Sequence, residues 1–471
     1  MQLSNNNEVR PKFVAQETLP NTINQKIKKI VAPFIGLQVV YRPLHMLTLA
    51  QDNPGKKMKI DNPKKRRVLC VGDPDGRLKF LDIYGKNKDL EFIWFPRRVT
   101  GMLQSKYAKI KKQIGLGEWR LDPYYDDEIV SQKGRKKLRS KFTKLLIDCV
   151  KYWNVQCLVI PKLNDEWIVD FQLAAKKINL PIIVTDRESS ISPKRMEVYP
   201  PLLFPLREHL NLAEKVCVNT DQHYEFMIKS GVEKNRLVVT GSPQSDYWSK
   251  PVYSRELSPL KEKINKNKKQ ILYLGFGTRA YLNFYYPNDE RTWDELCYEV
   301  HSTIADFLIE NSEEVEVLYK IGSKPARDYW HGYDAFYRRL EDAGVEDSLI
   351  EVKDAILTPE ILEFTDLTIA FQTTGVIEAM FSNQPIIVLG WGEFFEDIKD
   401  TLLPLYNSGV HHADSPEGFK NLLNQLISNS LPYMDKSKFE DYKYKYFYLC
   451  DGNSSNRVLD EIIKVLDNSR T

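Results

Sequence analysis

The chain has 471 residues, 42% of them apolar and 28% charged, which is the make-up of a folded globular protein and is too long for one ordinary core, so two domains are expected. Its formal net charge of +3 gives no field that would draw it generally to nucleic acid. Six cysteines (Cys70, Cys149, Cys157, Cys217, Cys297 and Cys450) stand apart without a C-x-x-C spacing, which points to reduced, mostly buried thiols in a cytosolic protein.

Residues 1–66 form an N-terminal extension: 1–25 are polar, 23–50 mixed and apolar, and 55–67 carry Lys56, Lys57, Lys59, Lys64, Lys65, Arg66 and Arg67. The apolar stretch 30–50 is as long as a membrane span, but Pro33, Arg42, Pro43 and His45 interrupt it, so no span is expected. Nor does it have the form of a secretory signal, because it starts far from Met1 and no small-residue cleavage site follows. The basic run reads first as a solvated loop, with a patch for anionic lipid head groups as the alternative.

From Arg67 the pattern becomes α/β. A strand is predicted over 68–72, a turn over Asp73-Pro-Asp-Gly76, a strand over 91–95 and a Lys-rich helix over 101–115. Leu138, Phe142, Leu145, Leu146, Cys149 and Val150 recur at three- and four-residue spacing and predict a helix over 136–153. A strand over 157–161, a helix over 165–178 and a buried strand over 181–185 follow, an alternation that argues for a doubly wound parallel sheet. The polar loop Thr185-Asp-Arg-Glu-Ser-Ser-Ile-Ser-Pro193 then leaves the carboxyl end of a strand, where ligands of such sheets bind. Asp186 and Glu188 are candidate general bases there; the competing reading is that Asp186 pairs with Arg187 and caps the next segment.

A strand over 216–219 leads to a helix through His223, Phe226, Met227 and Ile228, and residues 249–269 are polar and Lys-rich like an interdomain connector. The second half opens with a strand over 270–274 and the loop Gly275-Phe-Gly-Thr-Arg279, where Gly277 and Thr278 would let backbone approach a phosphate with Arg279 as countercharge. The third glycine and short spacing of a dinucleotide fingerprint are missing. The aromatic loop 281–293 packs an interface or stacks a sugar. Next come a helix over 293–311, a strand over 315–321 that carries Lys320, a strand over 349–352 and a short helix over 359–364.

The most informative stretch is 366–389: a buried run Leu367-Thr-Ile-Ala-Phe371, the turn Thr373-Thr374-Gly375, a helix face of Val376, Ile377, Ala379, Met380 and Phe381, and a second buried run Ile386-Ile-Val-Leu389. This is one parallel β-α-β unit with a right-handed crossover. A Thr-Thr-Gly turn at a helix start offers backbone N–H groups, two hydroxyls and a glycine to an anion, and Glu378 one turn on is placed to accept from a ribose diol. Read structurally, the same turn is an N-cap and Glu378 an exposed helix residue or capping partner. Residues 390–395 read as a loop beside the nucleotide base, 409–413 as a last strand, and 417–427 and 453–466 as helices. His411 and His412 have no carboxylate or cysteine at ligand spacing, so no metal site is expected.

The Thr373-Thr374-Gly375-x-x-Glu378-Ala379 segment before a Pro-Ile-Ile strand resembles the donor-binding unit of GT-B-fold sugar-nucleotide enzymes, above all bacterial surface-polysaccharide transferases and the related CDP-glycerol glycerophosphotransferases. Asp451, Gly452 and Arg457 resemble their Asp-Gly-x-x-x-x-Arg signature, and Gly241-Ser242-Pro243 with Asp246 resembles the cleft-facing loop that ends the family's N-terminal domain, although a strand-ending turn explains these four residues equally. Two departures stand out: Glu188-Ser189 replaces a His-Gly or Glu-Gly pair, and Lys320-Ile-Gly-Ser-Lys-Pro325 lacks the histidine of a Lys-x-His-Pro segment, which weighs against glycerophosphate transfer.

The resemblance implies an α/β protein of GT-B type, two Rossmann-like doubly wound parallel-sheet domains facing a central cleft. Expected boundaries are 67–250 for an acceptor domain, 251–269 for the linker, 270–440 for a donor-nucleotide domain and 441–471 for a C-terminal helical segment. It also implies metal-independent transfer from a nucleotide-sugar donor, with no cofactor, to a glycan or lipid-linked acceptor, in the cytoplasm or peripherally at the inner face of the membrane. The diphosphate would rest on Thr373, Thr374 and Gly375 with Arg279 or Lys320 as cation, Glu378 would hold the ribose, and Asp186 or Glu188 would face the acceptor. A CDP-alcohol phosphotransferase, a UDP-sugar 2-epimerase and a noncatalytic scaffold are the alternatives.

Overall fold

The computed structural model describes residues 65–71, 81, 85–86, 89–94, 132–163, 166–186, 191–204, 207–249, 257–277, 291–320, 332–352, 356, 358–382 and 384–469, all within the unit Asn62–Thr471. The extension through residue 64, the 73–76 turn, the 101–115 segment, Arg187, Glu188, Thr278, Arg279, residues 281–290 and the 321–325 segment lie outside the described residues.

Among the described residues twelve strands build two six-stranded sheets, parallel throughout. The first contains β1 (Arg66–Cys70), β2 (Leu90–Trp94), β3 (Val155–Ile160), β4 (Ile182–Thr185), β5 (Lys215–Val218) and β6 (Leu237–Val239), in the order β2-β1-β3-β4-β5-β6. The second contains β7 (Lys269–Leu274), β8 (Val315–Lys320), β9 (Leu349–Glu351), β10 (Leu367–Ala370), β11 (Ile386–Leu389) and β12 (His411–Ala413), in the order β12-β11-β10-β7-β8-β9. Runs such as Ile182-Ile-Val-Thr185 and Ile386-Ile-Val-Leu389 are buried at every position, as parallel strands covered on both faces must be.

The helices of the first half are α1 (Gln132–Trp153), α2 (Glu166–Lys177), α3 (Pro193–Leu203), α4 (Arg207–Leu210), α5 (Asp221–Lys229) and α6 (Pro243–Ser249). Those after it are α7 (Leu257–Lys263), α8 (Asp294–Asn311), α9 (Tyr333–Ala343), α10 (Thr358–Ile361), α11 (Thr374–Ala379), α12 (Glu393–Ile398), α13 (Pro416–Ile427), α14 (Lys436–Phe447) and α15 (Ser454–Asn468). Several of these fall where no helix was expected, among them α3, α6 and α9; α7 lies inside the polar connector, with Leu260 buried, and α12 occupies part of the loop read beside the base.

β7 shows how the layers form. Ile271 and Tyr273 point to one face, where Cys297, Val300, Ile304 and Phe307 of α8 and Phe419 of α13 cover them. Leu272 and Leu274 point to the other, under Val376 and Ile377 of α11, Met380 just after it, and Phe439, Tyr442, Tyr446 and Phe447 of α14. The last helix then returns to the first sheet: Val458, Leu459, Ile462, Val465 and Leu466, spaced as one helical stripe, pack on Val68, Cys157, Ile183 and Cys217.

Polar contacts fix that return. Both carboxylate oxygens of Asp246, a residue with no exposed surface, accept from the N–H groups of Ser454 (2.9 Å) and Ser455 (2.7 Å). Arg457 forks onto Asp451 with two 2.9 Å bonds and donates from Nε to the Thr240 carbonyl at 2.6 Å. Gly241, at φ +76°, lies so close that a Cβ there would stand 2.5 Å from Ser454 Oγ. The Asp451-Gly452-x-x-x-x-Arg457 motif thus ties the final helix to the end of the first sheet.

Candidate functional site

In the second sheet β7, β8 and β9 run outward in one direction and β10 returns to the other side of β7, so the connections reverse between β7 and β10. Loops leaving two such strands part toward opposite faces and open a crevice, the usual ligand seat of open α/β sheets. Leu274 and Ala370 are register partners at this edge. The Gly275–Gly277 segment leaves from one and Phe371–Thr373 from the other, with the rings of Phe276 and Phe371 in contact at 4.6 Å. Lys320 ends β8 as a register partner of Leu274, and its carbonyl accepts from the Gly275 N–H at 2.9 Å. Segments read separately from the sequence therefore share one edge.

The helix α11 begins at this crevice. Thr373 is its N-cap, extended at φ −147° and ψ 151°, and its hydroxyl accepts from the Gly375 N–H at 3.3 Å. Thr374 is the first helical residue. Gly375 faces a neighbour: a Cβ there would lie 2.7 Å from Leu274 Cδ1 and 3.6 Å from Thr358 Oγ1. Its missing side chain first allows α11 to sit on β7, a close-packing requirement that the sequence did not reveal. Glu378, half-buried, accepts at Oε1 from Gln244 Nε2 at 3.1 Å. Because Gln244 belongs to α6, which leaves the first sheet, this bond joins the two halves of the chain.

A second polar row lines the carboxyl ends of β4, β5 and β6. Asp186, Asn219 and Thr240 each follow one of these strands, and the N–H groups of Asp186 and Thr240 donate to the Cys217 and Val218 carbonyls at 3.1 and 3.0 Å. Asp186 Oδ2 lies 3.6 Å from Nε2 of His223, a buried residue in the first turn of α5. Thr220 caps that turn by accepting from the His223 N–H at 3.0 Å, and the Asn219 N–H donates to His223 Nδ1 at 3.5 Å. Burial pushes the His223 pKa below the ordinary histidine value; the Asp186 carboxylate opposes that fall and the Arg195 guanidinium adds to it.

Ser242 and Asp246 lie beyond β6. The Ser242 carbonyl accepts from the N–H and hydroxyl of Ser245 at 2.8 and 2.7 Å, and the Asp246 carboxylate is engaged by the start of α15. His411 and His412 are successive residues of β12 and so face opposite sides: His411 Nε2 contacts the Pro432 carbonyl at 2.7 Å, while His412 packs on Phe395. Sequence reasoning missed Gln244, His223 and Asn219. The available signal for His223 and Asn219 was their position just past the buried strand Lys215–Val218.

No protein-family model matches the sequence, and no curated protein matches it. Solved structures do match in fold. A UDP-N-acetylglucosamine 2-epimerase superposes with a TM-score of 0.52 over 85% of this chain and 96% of its own, at 15% identity. A putative UDP-N-acetylglucosamine 2-epimerase from Listeria monocytogenes gives 0.51 over 86% and 97%, at 13% identity. The Neisseria meningitidis UDP-GlcNAc 2-epimerase bound to UDP-GlcNAc gives 0.51 over 85% and 100%, at 12% identity. Likeness at such identity speaks for fold alone: two Rossmann-like parallel-sheet halves in the GT-B arrangement.

Proposed function

We propose that the chain is an enzyme that holds a nucleotide-sugar donor between β7 and β10 and transfers the sugar to a surface-glycan acceptor without a metal ion. The convergence of Gly275–Gly277, Lys320 and the Thr373–Gly375 turn on the point where the second sheet reverses carries this reading. The donor diphosphate would take up the first-turn amides of α11 and the Thr373 hydroxyl, replacing the long Thr373–Gly375 contact. Lys320 and Arg279 would supply positive charge as the nucleoside diphosphate departs, and Glu378 would accept from the ribose diol. On the other half, Asp186 or Glu188 would take the acceptor's proton. The acceptor would be met in the cytoplasm or at the inner membrane face; among the described residues no helix is long and apolar enough to cross a membrane.

A second reading, 2-epimerisation of a UDP-sugar, is favoured by the fold shared with UDP-N-acetylglucosamine 2-epimerases, and it needs no acceptor.

Melting shifts with UDP, GDP, CDP, CMP and their sugar or alcohol conjugates test the donor class, because a ligand of the native state raises the melting temperature by mass action. A rise with UDP-, GDP- or CMP-sugars is expected. Incubation with UDP-GlcNAc then separates the two reactions: a C2 epimer in the NMR spectrum means epimerisation, whereas UDP release without an epimer, stimulated by an added glycan, means transfer. A response confined to CDP-glycerol or CDP-ribitol would overturn both in favour of phosphotransfer, and no response to any nucleotide would leave a noncatalytic scaffold.

A further inference from the structure

We propose that His223 is a positioning residue for Asp186, a neutral imidazole that holds one carboxylate oxygen so that the other takes the proton of the acceptor hydroxyl. This deepens the transferase reading and rests on it. The tautomer follows from a backbone donor: the Asn219 N–H can only donate, so His223 Nδ1 must accept, and the one proton of the neutral ring lies on Nε2, which faces Asp186. At 3.6 Å the contact is longer than a formed hydrogen bond.

The surroundings hold the ring in place. Thr220 caps its helix turn, and Phe226 lies against it with ring centroids 6.3 Å apart. Among the described residues the charged groups that face it are Asp186 from the end of β4 and Arg195 from α3, whose guanidinium also lies 5.7 Å from the centre of the Phe226 ring. Beside this pair the Thr185 hydroxyl and the Asn219 side-chain amide nitrogen are buried without a hydrogen-bond partner among the described residues. A polar row at the carboxyl ends of three strands, where ligands of open α/β sheets bind, points to chemistry more than to packing.

In the step itself the acceptor hydroxyl proton moves to Asp186. The hydroxyl oxygen forms the new bond to the anomeric carbon, and the bond from that carbon to the diphosphate breaks, its electron pair leaving with the nucleotide. With water as acceptor the same balance yields free sugar and UDP, so UDP release from UDP-GlcNAc is a usable readout.

The test uses the full-length chain carrying His223→Phe, His223→Gln, Asp186→Asn, or His223→Phe with Asp186→Asn. His223→Phe is expected to lower kcat about a hundredfold with KM and the UDP melting shift retained, and Asp186→Asn to lower it at least as much. The double variant should be no worse than Asp186→Asn alone, because His223 acts through that carboxylate. Glutamine, which can still donate to Asp186, should recover most of the loss. In a ¹⁵N-histidine spectrum the signal removed by His223→Gln should show a neutral Nε2–H ring near neutral pH that changes on Asp186→Asn.

Wild-type kcat in His223→Phe, additive losses in the double variant, or an Nδ1–H or charged ring near neutral pH would overturn the proposal while the donor reading stands. Unimpaired turnover by Asp186→Asn would overturn the proposal together with its base. A chain that responds to no nucleotide would overturn the donor reading and the proposal with it.

Discussion

Gln244 Nε2 donates to Glu378 Oε1 at 3.1 Å, linking the helix that leaves the first sheet to the helix that begins at the crevice of the second. If Glu378 holds a ribose, its carboxylate makes charge-assisted bonds to ligand as well as to Gln244. Glu378→Gln removes that charge, and UDP affinity is expected to fall about 10- to 100-fold, the worth of a hydrogen bond to a charged group. Gln244→Ala leaves the carboxylate in place and should change affinity by less than about threefold. Calorimetric titration of both variants checks the pair; equal affinity in wild type and Glu378→Gln would remove Glu378 from the site.

Gly375 is a packing residue. Gly375→Ala drives a methyl to 2.7 Å from Leu274 Cδ1, and overpacking of this kind is expected to cost about 1–3 kcal/mol in urea denaturation. Leu274→Val withdraws the offending carbon and should restore part of that stability in the double variant. Nucleotide affinity of the restored variant then reports how closely the ligand approaches Gly375, a question the single substitution confounds with folding.

The fold was legible where burial alone decides structure. Runs such as Ile182-Ile-Val-Thr185 and Ile386-Ile-Val-Leu389 can only be covered strands, and their alternation with helical stripes implies parallel sheets. Only the second half of helix α14 fell within the helical segment expected over 441–471, because Lys and Tyr crowd its sequence and the polar tips of Tyr442 and Tyr446 mask the period of a buried face completed by Phe439 and Phe447. Helix α3 carries Pro200 and Pro201 in its interior, which a sequence rule reads as a break. At the crevice the Thr373–Gly375 turn was legible as a helix start, but the long-range contacts were not: Leu274 against Gly375, Gln244 against Glu378 and, at the last helix, Asp246 against Ser454 join residues about 100 or more apart, and no local periodicity encodes such contacts.

Asp246 should behave as a structural clamp. Asp246→Ala would leave the buried N–H groups of Ser454 and Ser455 without their acceptor, and a loss of about 2–4 kcal/mol is expected from the missing double cap. Asp246→Asn keeps one acceptor oxygen and should lose less. Because α15 covers the first sheet while the crevice lies on the second, UDP affinity of the folded variant should stay near wild type. Hydrogen exchange would show the amides of α15 opening first; unchanged protection there would refute the clamp.

Acid sensitivity should trace in part to His301. Burial drives its pKa down to about 4, against the opposing effect of its bond to the Cys297 carbonyl; Nδ1 meets that carbonyl at 2.6 Å, and Nε2 lies 3.2 Å from the Tyr319 hydroxyl. The unfolded chain takes up this proton near the ordinary value of 6.5, whereas the folded chain resists it down to about 4. Between those values the unfolded state binds more protons, so the stability from a neutral His301 is complete above about pH 6.5 and is lost as pH falls toward about 4. His223, also depressed by burial, adds in the same direction. His301→Phe should therefore shrink the difference in unfolding free energy between about pH 7.5 and about pH 5 by roughly 2 kcal/mol, without abolishing it. Urea denaturation of both proteins at the two pH values measures this directly, and an undiminished difference in the variant would place the acid sensitivity elsewhere.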